Sequence, residues 1–95
     1  MQKEEILHFL KQNKRMLQRQ YHVERIGLFG SFARNEAQEQ SDIDLVIVSP
    51  KKSFRNRYNL KYFLEQHFKR DVDIGYLDAL HPFVRKQIQN EIVYV

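Results

Sequence analysis

The chain has 95 residues, 42% of them hydrophobic, with seven Phe, five Tyr and a formal charge of +4. That is enough for one domain on one core and too apolar for a disordered tail. The lack of cysteine excludes a disulfide framework and a thiolate zinc site.

The N-terminus, Met1 to Glu5, is polar rather than signal-like. No apolar run approaches the ~18 residues of a membrane span, so a cytoplasmic protein without a membrane segment is expected. The positive charge suits a triphosphate, an acidic protein or, less favoured, RNA, and does not choose between them.

Residues 4–20 read as one helix, with Ile6, Leu7, Leu10 and Leu17 on one face and Tyr21 continuing it. Lys11, Lys14, Arg15 and Arg19 lie mostly elsewhere, as a solvated face does. His8 and His22 have no partner at metal-ligand spacing and read as structural. Residues 23–29 form the first strand, in which Gly27 marks a close approach by a ligand or a neighbouring element. Gly30-Ser31 closes this strand and opens a short helix-like segment. A glycine lets backbone come near a phosphate, and the free amides of a helix start favour an anion. Arg34, three residues after Ser31, falls on the same side and within reach of a phosphate. Residues 36–40 are a polar loop, and Ser41 either shapes the turn or orients a carboxylate.

Asp42 and Asp44 stand two apart in an extended stretch, so their carboxylates project together. Two like charges at the head of an apolar strand need a counter-charge. Carboxylate oxygens beside a phosphate-bearing ligand are what magnesium prefers. Residues 43–48 are the second strand, apolar on both faces beyond Asp44 and hence central and covered. Ser49-Pro50 stops it. Lys51, Lys52, Arg55 and Arg57 then put four positive charges in seven residues. They suit a soluble linker or contact with a phosphate or an acidic partner. A second helix covers 54–68, with Leu60, Phe63, Leu64, His67 and Phe68 at helical spacing; His67 reads as a core-edge residue. Residues 71–76 alternate, with Asp71 and Asp73 on the face opposite Val72, Ile74 and Tyr76. Pro82 opens a last helix over 82–90, and residues 92–95 add a short extended tail.

Gly30-Ser31 ends the first strand, whereas Asp42 and Asp44 begin the second. Both reach one triphosphate only if these strands are antiparallel. An aspartate opening the third strand places it parallel to the second, through a right-handed crossover carried by the 54–68 helix. The expected architecture is α+β, a single domain built on a small mixed sheet of three to four strands with helices on one face.

Gly30-Ser31, ten residues, then Asp42-x-Asp44 resembles the signature of the DNA polymerase β-type nucleotidyltransferases. The surrounding Gly-Ser-Phe-Ala-Arg and Ser-Asp-Ile-Asp-Leu-Val are most similar to the minimal nucleotidyltransferase branch. The likeness spans roughly Ile6 to Val95 and departs at Asn35, where such sequences usually carry a glycine. Asparagine tolerates positive φ better than most residues, so the turn is expected to survive. The family pattern selects Asp73 over Asp71 as the third carboxylate. The resemblance implies two magnesium ions on Asp42, Asp44 and Asp73, and ATP held by Gly30, Ser31 and Arg34. It also implies transfer of AMP to a tyrosine of a HEPN RNase toxin, with this chain as the antitoxin. Two competing readings are a non-catalytic module that silences a partner by contact and an enzyme acting on a small molecule or an RNA end.

Overall fold

The computed structural model describes all 95 residues. Two helices open the chain, α1 (Lys3–Gln12) and α2 (Lys14–Tyr21), where the periodicity predicts one. Asn13 makes the break. Its side-chain amide donates to the Phe9 carbonyl at 2.8 Å, which its own backbone N–H also reaches at 3.1 Å. An asparagine that competes with the helix for backbone partners ends one run and starts the next. The apolar stripe survives the break, since Ile6, Leu10 and Leu17 are fully buried.

Next come β1 (Arg25–Phe29), a four-residue helix α3 (Gly30–Ala33) and β2 (Ile43–Val48). Helix α4 (Phe54–Phe68) has the predicted bounds, with the Ser53 side chain accepting from the Asn56 N–H and Lys69 left-handed at its end. Strand β3 (Val72–Tyr76), a 3-10 turn (Leu77–Ala79), α5 (Pro82–Ile88) and β4 (Val93–Tyr94) complete the chain. The sheet order is β3-β2-β1-β4. As expected, β1 and β2 are antiparallel and β2 and β3 parallel. The C-terminal tail becomes a fourth strand, antiparallel to β1. Gly27 admits it, because a Cβ there would lie 2.5 Å from the Ile92 side chain and 3.0 Å from the Tyr94 ring. The close approach is therefore by a neighbouring element.

Helices on one face alone is the expectation that fails. The main core joins Ile6, Leu10, Leu17, Leu60, Leu64 and Phe68 of α1, α2 and α4 to Ile26, Leu28, Ile43, Leu45, Ile47, Val72 and Ile74 of the sheet. On the opposite face Val46 packs with Leu77 and Ile88, so the 3-10 turn and α5 form a second, smaller layer. A strand apolar on both faces needs that second cover. By strand alternation Asp42 and Asp44 share the face of Val46, which is the face α5 covers only in part. No helix is long and apolar enough to cross a membrane.

Candidate active site

Strand register gathers the predicted residues. Phe29, the last residue of β1, lies opposite Asp44, and Asp44 lies opposite Asp73. Gly30, Asp44 and Asp73 thus line up across three adjacent segments at one end of the sheet. Gly30 takes φ +77°, and a Cβ on it would collide with the Asp44 carboxylate. Only glycine permits both that dihedral and that approach. Asn35 has φ +59°, so it adopts the left-handed conformation that a glycine would take at that turn. Ser31 is the second residue of α3 rather than its cap; Phe29 holds the cap position.

The three aspartates act on one another. Asp44, half-buried between the others, has its carboxyl pushed up to about 6, first by burial and then by the charges of Asp73 and Asp42. Asp42 and Asp73 are exposed. No three carboxylates or imidazoles converge closely enough to form a ready-made metal cage. What the structure provides is a set of oxygen donors under like-charge strain, which suits a hard divalent cation.

Two further residues contribute to the site. Glu91, between α5 and β4, accepts the Gly30 backbone N–H at 2.6 Å and the Arg34 guanidinium at 3.1 and 3.3 Å. Arg34, expected to be free for a phosphate, pairs with Glu36 at 2.9 Å as well, and both partners raise its pKa. Glu91 is the one acidic residue after Asp78, set between a basic helix and an apolar tail, and that isolation was its only signal. The second is Arg70, which donates to the carbonyls of Glu39 at 2.6 Å and Ser41 at 2.9 Å. Ser41 settles as a turn former, accepting the Gln38 N–H at 2.8 Å. Arg70 and Ser41 together fix the loop that delivers Asp42. His67, exposed, stacks on Phe9 with ring centroids 3.6 Å apart, in keeping with a structural role at the core edge. Beside the aspartates, Phe54, Arg57, Tyr58, Lys61 and Asp73 line a groove of about 180 Å³.

The family model described as "Nucleotidyltransferase domain" matches residues 9–95. The chain belongs to that family. A Methanocaldococcus jannaschii protein named as a candidate protein adenylyltransferase is 36% identical over 95 residues, 96% of this chain and 95% of its own. Protein adenylyltransferase MntA of Thermococcus cleftensis is 33% identical over 93 residues, covering 97% and 94% of the two chains. Among solved structures, a candidate minimal nucleotidyltransferase superposes with TM-score 0.82 at 30% identity, over 98% of this chain and 95% of that one. A chain of the MntA–HpeT toxin–antitoxin complex superposes with TM-score 0.68 over 99% of this chain and 71% of that one. At 19% identity this last match speaks for the fold alone. The fold and family are those of a nucleotidyltransferase, as the Gly-Ser and Asp-x-Asp motifs implied.

Proposed function

We propose that this enzyme transfers AMP from ATP to a hydroxyl of a partner protein, a tyrosine of a HEPN-type RNase toxin, and so serves as the cytoplasmic antitoxin of that pair. The observation that carries the reading is the register Phe29–Asp44–Asp73, which brings the phosphate-cradle glycine and two of the aspartates to one sheet end. The names of the full-length relatives support a protein as acceptor. MntA, the name of the T. cleftensis relative, also appears in the name of the solved MntA–HpeT toxin–antitoxin complex.

In this reading Gly30 N–H, Ser31 and Arg34 hold the triphosphate for in-line attack at the α-phosphorus. Asp42, Asp44 and Asp73 would hold magnesium, as two ions in this reading, which would supply counter-charge to the phosphates and acidify the attacking hydroxyl. Asp73, exposed on the edge strand, takes the proton of that hydroxyl. The acceptor oxygen bonds to the α-phosphorus and pyrophosphate leaves.

One observation favours silencing by contact instead: Glu91 already occupies the Gly30 amide. A single assay separates the two. The chain and a HEPN-type protein, sought in the neighbouring reading frame, are incubated with ATP and magnesium, and the partner's intact mass is measured. Added AMP on the partner, lost when Asp42 and Asp44 are both changed to Asn, is the expected result. A bound, silenced partner with no added mass gives the case to contact alone.

A further inference from the structure

Two donors that the proposed function assigns to the nucleotide's phosphates are the Gly30 N–H and the Arg34 guanidinium. Both are engaged by one carboxylate of the chain itself. Glu91 Oε2 sits 2.6 Å from the Gly30 nitrogen and 3.1 Å from Arg34 Nη1, with Oε1 at 3.3 Å. The Glu91 side chain is 22% exposed, so its paired carboxylate is largely withdrawn from water. A planar anion bridging a backbone amide and a guanidinium reproduces how a phosphate oxygen would be held. Its surroundings oppose it, because the Glu91 charge also falls on Asp44.

We infer that Glu91 is a built-in phosphate surrogate, a latch that holds Gly30 and Arg34 in the free protein and must release both when a nucleotide binds. This inference rests on the nucleotidyltransferase reading of the site and adds a regulatory contact to it. Two anions cannot share the one Gly30 N–H, so latch and phosphate exclude each other. Glu91 is also followed directly by the segment that forms β4. That strand is short, with two residue pairs to β1 and the Val95 N–H bonded to the Ile26 carbonyl at 3.0 Å. Releasing Glu91 removes a nearby side-chain anchor of this segment, so nucleotide occupancy loosens residues 92–95. By linkage, whatever holds the tail down weakens the nucleotide to the same degree.

Glu91→Gln keeps the shape and removes the charge; Glu91→Ala checks that any effect is not peculiar to the amide. Thermal melts confirm that each variant is folded. The probes are AMP-PNP with magnesium and, separately, inorganic tripolyphosphate. The readouts are titration calorimetry, the Gly30 amide resonance and hydrogen exchange at Val93 and Val95. Both variants should bind AMP-PNP about tenfold tighter than the wild type, the scale of one charge-assisted hydrogen bond. In the wild type AMP-PNP should speed exchange at Val93 and Val95. In the variants exchange should be fast already and change little. Equal or weaker binding by both variants, with tail exchange indifferent to nucleotide, overturns the latch. If tripolyphosphate shifts the Gly30 amide more readily in the variants while AMP-PNP binds to none of the proteins, the nucleotide reading fails and the latch stands. A Gly30 amide that responds to neither probe in Glu91→Gln overturns the latch.

Discussion

At the scale of single residues the site is a contest between charge and space around Gly30. Its positive φ and its contact with the Asp44 carboxylate leave no room for a methyl group. Gly30→Ala is expected to lower unfolding stability by about 1–2 kcal/mol from the dihedral alone, with the displacement of Asp44 added. Urea melts give the stability, and the Asp44 carboxyl resonance reports the displacement. Asp44 is expected to make the metal-free protein sensitive to pH in an unusual direction. Its folded pKa, about 6, lies above the ordinary 3.8, so the fold binds the proton more tightly than the unfolded chain does. Below 3.8 both states are protonated and nothing is lost. As pH rises from 3.8 to about 6 the unfolded state ionises first and stability falls, then levels off. Asp44→Asn removes that loss, so in chelator the variant should gain on the wild type across this window. Melts in series from pH 3.5 to 7.5 check it, and parallel curves would refute the electrostatic account.

Among the elements, β3 shows how an edge strand is protected. Its Val72 N–H goes to the Glu65 carboxylate at 3.0 Å, its Val72 carbonyl to Lys61 at 2.6 Å and its Ile74 carbonyl to Arg57 at 2.9 Å. All three side chains come from α4, so the crossover helix also caps the edge that would otherwise template aggregation. The Val72 N–H, followed by Lys61, holds the Glu65 carboxyl below its usual range. Its contribution is present above the ordinary 4.5 and lost as pH falls through the lower, folded value. Glu65→Gln should therefore cost about 1 kcal/mol at neutral pH and progressively less in acid. Acid titration of both proteins by circular dichroism measures the difference. The strands and their directions could be read from the sequence, because alternation and the position of each motif at a strand end constrain them locally. The α1–α2 break is local, between Asn13 and Phe9, and the apolar stripe that runs on through it hides it. The second layer under Val46, Glu91 and Arg70 could not be read, because each depends on a partner brought in by the finished fold: Ile88 for Val46, Gly30 for Glu91, the 38–41 loop for Arg70.

For the molecule as a whole, the remaining question is where a protein acceptor rests. The basic stretch Lys51 to Arg57 suggested itself from charge, but the structure divides it. Lys52 is paired with Asp78, and Arg57 gives its guanidinium to the Ile74 carbonyl, whereas no carboxylate pairs with Lys51 or Arg55. On the same helix Phe54, Tyr58 and Tyr62 are 76%, 56% and 56% exposed. At spacings of four they form one ridge, and two of them line the groove that ends at Asp73. A contiguous exposed aromatic ridge beside free cations, next to the proposed base, suits an acidic protein surface carrying the acceptor hydroxyl. The two features should separate in kinetics. Lys51→Glu with Arg55→Glu is expected to slow association with the proposed protein partner by roughly tenfold and to flatten its salt dependence, because exposed charges steer encounter. Phe54→Ser with Tyr58→Ser should leave association nearly unchanged and speed dissociation, because desolvated aromatic contacts hold a formed complex. Neither pair lies in the core, so both variants should melt close to the wild type. Stopped-flow association and surface-bound dissociation at two ionic strengths supply the numbers. If charge reversal leaves the association rate and its salt dependence alone, the partner docks elsewhere, and the cationic faces of α1 and α2 become the surface to test.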